Sequence, residues 1–434
     1  MERVDQERQS APSSRGPRLF PMVLAILVLH ALPFLSRPAI VGGDEPHYAL
    51  MASSIANDHD LSLDDDYQRV ENGSNEAGDR ISGKSLDRHL RTTNGRTVFV
   101  HPIGLPALAS PLVAIQQLVA PGAAPDIPLL FLTVCIAFAA LLVGWRLTAA
   151  MTGSHRDAAL IVFCAYFGSP LWYYSRTFFT ETYTWAFAVF AIALIRARRI
   201  VLASICLALV LAMKETGALL VVAILGGSAA ALGLRLTLIA CSGPLLYGAV
   251  FALKNIQLVG TPFSTFQAYR IGDPVGGMIG TLIDPAHGVT WFAPLLVAAA
   301  FGWFVQAPHR NLQLASAFAA VSYFVVSGAW IDWQGGSCYA SRLVLPALPA
   351  MIVPLTAWWK SGSLKMPLLA GLFLTGFAVN WTAAVDPFTA SWGPPALGLM
   401  AKNWKVLVPG ILLGAGFLWY IARWRGWERF DCGT

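Results

Sequence analysis

Charge is what this sequence has least of. Only 12% of its 434 residues are Asp, Glu, Lys or Arg, against 56% hydrophobic, whereas a soluble globular chain carries about 25% charged residues. That shortage excludes an ordinary soluble domain. Alternating segments of about 10 residues, the mark of a membrane β-barrel, are absent. No internal repeat is visible, which weighs against inverted-repeat transporters. There are six cysteines, but no CxxC pair or disulfide framework. Cys135, Cys164, Cys206 and Cys241 fall inside apolar runs, where they act as small apolar residues. Cys338 and Cys432 are expected on opposite sides of a membrane. The net charge of +6 is no nucleic-acid signal, because the basic residues cluster at the ends of apolar runs.

Those runs are what the chain has in abundance. They recur at about 17–23 residues, the length a helix needs to cross a bilayer. The fold class expected is an all-α polytopic membrane protein with about 12 (11–13) transmembrane helices. The basic clusters Arg3 to Arg18, Arg146 with Arg156, Arg196 to Arg199, Arg235, Arg310, Lys360 with Lys365, and Arg423 to Arg429 can all be cytoplasmic at once. This arrangement predicts a cytoplasmic tail over 1–18 and a first span over 19–40, retained because it lacks a small-residue cleavage site. A large extracytoplasmic loop over 41–126 follows, with juxtamembrane amphipathic and re-entrant helices. Spans then fill 127–256, a second outer loop covers 257–288, and spans including 289–306 and 343–359 fill 289–422. A cytoplasmic tail ends the chain at 423–434. Pro102, Pro106 and Pro111 argue that 102–120 does not cross.

Eleven of the 24 acidic residues lie in 42–100. The stretch opens with Gly43-Asp44-Glu45-Pro46-His47-Tyr48, just after the first span. Tyr48, Met51, Ala52 and Ile55 follow a helical stripe, and Pro46 suits a first turn. The helix is expected to lie flat in the outer interface, with Asp44 as its N-cap. The same position would hold Asp44 ionised and oriented as a general base. Asp58, Asp60, Asp64, Asp65 and Asp66 fail the EF-hand template, since Leu63 and Arg69 stand where Gly and Glu are needed; they read as a solvated acidic loop, with a loose divalent-ion site as the alternative. Asn72-Gly73-Ser74 and Asn380-Trp381-Thr382 are sequons.

The stretch from Gly43 to Tyr67 resembles the first outer loop of bacterial glycosyltransferases of the GT-C superfamily, similar to protein O-mannosyltransferases and lipid A aminoarabinose transferases. The resemblance extends through His101-Pro102-Ile103-Gly104, Phe179-Thr180-Glu181-Thr182, Met213-Lys214-Glu215 and Asp284-Pro285-Ala286-His287-Gly288. It continues to Tyr339-Ala340-Ser341-Arg342-Leu343 and Leu345-Pro346-Ala347-Leu348-Pro349, so that it covers about residues 40 to 350. His287 departs from it, standing where relatives often carry Arg.

The resemblance implies transfer of a sugar from a polyprenyl-phosphate donor to an extracytoplasmic glycan, lipid or protein. Asp44 would be the base, with Glu45 and Glu181 shaping the site. Lys214 and Arg342 would hold the departing lipid phosphate, with Arg270 a weaker third. His47, Tyr48, His101, His287 and Tyr339 complete the expected substrate-binding set. No cofactor is required outright. A divalent ion is the one candidate, with Asp44, His47 and Glu181 as ligands, alongside His101 or Glu45; such mixed ligation suits zinc or manganese. The rival functions are a lipid-linked sugar transporter or flippase, with acids in mid-span, and a non-catalytic subunit of a cell-envelope glycan assembly.

Overall fold

A computed structural model describes residues 23–24, 26–31, 43–71, 88–93, 96–121, 126–262, 270–306, 309–336, 338–390 and 393–423. The tails, most of the expected first span, the Asn72 sequon and Cys432 lie outside them. The described chain is mostly helical, with one two-stranded hairpin pairing Leu90–Thr93 antiparallel to Arg96–Phe99 in the register Leu90↔Phe99. Among the described residues, six helices are long and apolar enough to cross a membrane: Ile127–Thr152, Glu215–Leu258, Arg310–Ala329, Arg342–Lys360, Met366–Val385 and Trp404–Arg423.

The helices that position the site are shorter. Thr180–Arg196 is followed by Ile200–Met213, with only Ala197, Arg198 and Arg199 between them. The chain therefore runs down one helix and back up the next, which returns Lys214 to the end where Thr180 started. The 42-residue helix Ala218–Val259 is interrupted at Gly233, whose φ of 72° and ψ of 166° are non-helical. As one rod it would run about 63 Å, roughly twice the hydrocarbon thickness. Glu215 and Lys254 interact electrostatically from its two ends, so the halves fold back on each other.

One expected span is broken into pieces and two other expected helices differ in detail, although Arg342–Lys360 remains long and apolar enough to cross a membrane. The expected span 289–306 is three pieces, Val289–Phe292, Pro294–Ala298 and the 3₁₀ segment Ala299–Phe304. Pro294 lacks the N–H that would continue the first of them. The segment 343–359 opens as a 3₁₀ helix, Arg342–Met351, and becomes α only at Ile352; Pro346 and Pro349 each remove an i→i−4 donor. The helix Glu45–Asn57 does not present one polar face to solvent. Nine of its residues, including Glu45, His47 and Ser54, are buried, and it packs on helix Gly104–Val119. That second helix accommodates Pro106 in its first turn, where the missing N–H is unneeded. Gly104 comes so close to the Ala212 carbonyl that an added Cβ would lie 2.2 Å from it, which brings the chain after His101 against the end of helix Ile200–Met213.

The acidic stretch is not simply solvated. Arg69 gathers Asp58 at 2.8 Å, Asp65, and the buried Asp66 at 3.8 Å. Asn380 is fully buried and bonded to Tyr339 and Phe292, so its sequon is closed to modification.

Candidate active site

Five chain segments converge at one end of the bundle: the start of helix Glu45–Asn57, the two ends of the hairpin, the start of helix Thr180–Arg196, the end of helix Ile200–Met213, and the start of the 3₁₀ segment at Arg342. Each brings a charged or titratable side chain.

Asp44 occupies the N-cap position, yet its side chain makes no capping bond. This corrects the capping expectation. The carboxylate turns instead to Arg342, whose Nη1 donates to Asp44 Oδ2 at 2.9 Å. The same guanidinium reaches Glu181, Nε to Oε1, at 3.4 Å. Lys214 Nζ donates to the same Glu181 oxygen at 2.5 Å. Two carboxylates and two cations thus alternate in one buried chain, Asp44–Arg342–Glu181–Lys214. Arg342 also stacks on Phe179, its guanidinium carbon 4.8 Å from the ring centre. Its Nε is buried without a hydrogen bond, since 3.4 Å to Glu181 is an ion-pair contact of poor bonding geometry.

Burial alone would raise the Asp44 carboxyl. The Arg342 guanidinium, helped by the Lys214 ammonium, overcomes that and holds it well below the usual carboxylate range. Asp44 is therefore ionised at neutral pH, as a proton acceptor must be, but it is also occupied.

A histidine cluster borders the other side of Asp44. His101 Nε2 lies 3.8 Å from Asp44 Oδ1 and 2.6 Å from His89 Nδ1. His47 stacks on His89 at 3.5 Å between ring centres. Its Nδ1 lies 2.6 Å from the Tyr67 hydroxyl, which accepts from the His89 N–H and so is left to donate to His47. Burial pushes His101 down to about 4 and His47 to about 3; both are neutral at pH 7, and the His101–Asp44 contact there is not an ion pair.

Not every expected residue joins. Glu45 is buried and accepts from the Phe178 N–H at 2.6 Å; it tethers the first loop to the segment before Glu181 rather than facing Asp44's partners. Tyr48 is buried and its hydroxyl bonds Thr180, which donates to Glu181 Oε2 at 3.3 Å. Tyr339 is a core residue, 1% exposed, its hydroxyl donating to Asn380 and its carbonyl accepting from Tyr174; a substrate contact there is corrected to a packing role. Arg270 is exposed beside the bridge between Ile271 and Trp330 and is not part of the cluster. His287 lies 3.3 Å from Asp284 and accepts, through its carbonyl, from the Ser341 hydroxyl; it supports the segment leading to Arg342.

The expected metal set is corrected as well. Among the described residues, the group with ligand atoms close enough for one ion near the site is Asp44, His89 and His101. His47 Nδ1 is engaged by Tyr67, and Glu181 by Lys214 and Arg342. The missed residue is His89. The signal that could have found it is Asn94-Gly95, a strong hairpin dipeptide, which brings positions 89 and 101 to the same end of the hairpin.

Along helix Thr180–Arg196, below Glu181, an apolar cavity of about 450 Å³ opens. It is lined by Trp185, Val189, Ile192, Ala223, Ala319 and Pro346 among others, and reaches Arg196 and Arg198 at the opposite end.

No protein-family model matches the chain, and no curated protein matches it. Solved structures do. ArnT from Cupriavidus metallidurans bound to undecaprenyl phosphate aligns with a TM-score of 0.54 at 15% identity, covering 95% of this chain and 77% of that one. The apo state of the same enzyme gives 0.55 at 17% identity, covering 94% and 75%. The apo oligosaccharyltransferase of Archaeoglobus fulgidus gives 0.46 at 12% identity, covering 95% and 57%. The chain shares the fold of ArnT.

Proposed function

We propose that the chain is a multi-pass enzyme of the cell membrane that transfers a sugar from a polyprenyl-phosphate donor to an acceptor on the extracytoplasmic face. About 12 spans and an outward-facing site belong to the same proposal. The observation that carries it is Arg342. A buried guanidinium with an unbonded Nε, beside Lys214 and a stacking ring, is a site for an anion. A lipid phosphate fits, and ArnT, which shares the fold, binds undecaprenyl phosphate.

The geometry supports a specific order of events. With no donor, Arg342 holds Asp44 as a weak base. A donor phosphate competes for the guanidinium and for Lys214, which releases Asp44 Oδ2. The acceptor oxygen attacks the anomeric carbon while its proton passes to Asp44. The bond from that carbon to the phosphate oxygen breaks, and its electron pair stays on the phosphate between Lys214 and Arg342. A single displacement inverts the anomeric centre. The apolar cavity along helix Thr180–Arg196 would take the polyprenyl tail, since its lining is apolar and begins at Trp185, one turn along the helix from Glu181.

The test is purified protein with a labelled polyprenyl-phosphate sugar and cell-envelope acceptor fractions. Release of free lipid phosphate with label in the acceptor is expected. Label that changes leaflet on intact lipid would make the protein a transporter, and neither event would leave it a docking subunit.

A further inference from the structure

We infer that Asp44, His89 and His101 form a binding site for a zinc-like divalent ion, seated on the first loop and hairpin beside the ion-paired cluster. The nitrogens of the two histidines and one Asp44 oxygen all lie within 4.8 Å of one another. In a tetrahedral zinc site with bonds of about 2.0–2.1 Å, ligand atoms stand about 3.3 Å apart. Here the pairs bracket that value, at 2.6 Å for His89–His101 and 3.8 Å for His101–Asp44. Closing on an ion requires only small rotations of side chains at the mouth of a hairpin.

The chemistry of the donors agrees. Two imidazoles and a carboxylate are a borderline-soft set that zinc prefers to calcium or magnesium. His101 is buried. The two oxygens of Asp44 divide the work: Oδ2 faces Arg342 while Oδ1 faces His101. The outer layer is also built. Tyr67 accepts from the backbone N–H of His89 and bonds the His47 ring, and that ring stacks on the His89 ring at 3.5 Å between centres, so the backbone and ring of His89 are both held in place.

Charge adds a second reason. Asp44 and Glu181 balance Lys214 and Arg342, so the cluster is neutral without an ion. A dication gives it a net positive charge that an incoming phosphate would offset. Three protein ligands leave one position of a tetrahedral ion open. On the transferase reading, an ion held by these residues would supply a Lewis acid beside Asp44; the metal site itself does not depend on that reading.

The experiment reads metal, not turnover. Protein purified in detergent is stripped with chelator, titrated with zinc chloride, and assayed for bound metal by mass spectrometry and calorimetry. About one tight equivalent per chain is expected. His89→Ala and His101→Ala should lose it, and His309→Ala, exposed and outside the cluster, should keep it. Zinc-edge X-ray absorption on the unmutated protein should show two imidazoles with oxygen ligands, a result independent of whether any variant folds. No tight zinc in the unmutated protein, equal binding in all three variants, or a spectrum without imidazole scattering would each overturn the site, whether or not sugar transfer is observed.

Discussion

Arg342 donates from Nη1 to Asp44 Oδ2 at 2.9 Å across 298 positions of sequence. This contact ties the first loop to the C-terminal half of the chain, and it ties the candidate base to the candidate phosphate ligand. Neither residue can be changed without altering the electrostatics of the other.

Asp44→Asn should therefore do two things. Transfer should fall by about 10²–10⁴-fold, the range for removing a general base. Stability should also fall, because a buried ion pair loses one partner at a cost of about 3–5 kcal/mol. Glu181 shares the guanidinium at 3.4 Å and the amide oxygen of Asn can still accept, so the loss should lie nearer 1–3 kcal/mol. Thermal unfolding in detergent and initial rates on one preparation separate the effects. A variant that turns over at near the unmutated rate removes Asp44 from the chemistry.

Arg342→Lys tests the fork rather than the charge. One ammonium cannot donate to Asp44 and face Glu181 as the planar guanidinium does, and it cannot stack on Phe179 with the same geometry. The donor KM should rise by about tenfold or more, equivalent to about 1.4 kcal/mol, with the acceptor KM little changed. An equal effect on both substrates would place Arg342 outside donor recognition.

The parts of this arrangement that were legible in the sequence are those set by local rules. Helices Thr180–Arg196 and Ile200–Met213 followed from apolar length and the basic residues 196, 198 and 199, and they fix where Glu181 and Lys214 sit. Asp44 stood out as an acid beside the first apolar run. What local rules could not supply was its partner. An Asp before Pro-containing helix residues reads as a cap, and the cap bond gave way to a stronger charge-assisted bond with a residue far along the chain. Tyr339 failed for a related reason: within a motif it looks like a ligand contact, but its hydroxyl is satisfied by Asn380 in the core. The 3₁₀ turns at Arg342–Met351 were readable from Pro346 and Pro349, had apolar content not outweighed them. His89 required the hairpin to be seen first.

Asp66 gives a pH signature outside the site. Burial is the main cause that raises its carboxyl to about 7, with Asp65, Asp58 and Asp60 adding to it against Arg69. One of its oxygens is buried without a partner. A carboxyl raised above its unfolded value of about 3.9 binds its proton more tightly when folded. Its contribution is thus full at low pH and is lost as the pH rises from about 4 through 7. Asp66→Asn, which mimics the protonated form, should be neutral near pH 4 and stabilising at pH 8, by about 1–3 kcal/mol. Melting temperatures of the two proteins across this range should diverge toward alkaline pH. Parallel curves would show that Arg69 keeps Asp66 ionised throughout.

On the proposed function, the cavity along helix Thr180–Arg196 should discriminate between donors by the length of their tails. Ala319 is 2% exposed and lines this cavity; Ala319→Phe would project a ring into it. Overpacking a filled core costs about 1–3 kcal/mol, but a space of about 450 Å³ can admit a phenyl group at less. If the polyprenyl chain lies there, the variant should raise KM for a long-tailed donor and leave a short-tailed analogue, held mainly by Arg342 and Lys214, near its original value. The ratio of the two specificity constants is the quantity to measure, because a general folding defect lowers both together. A ratio unchanged by Ala319→Phe would mean that the tail leaves the site by another route, and the cavity would then lose its part in donor binding.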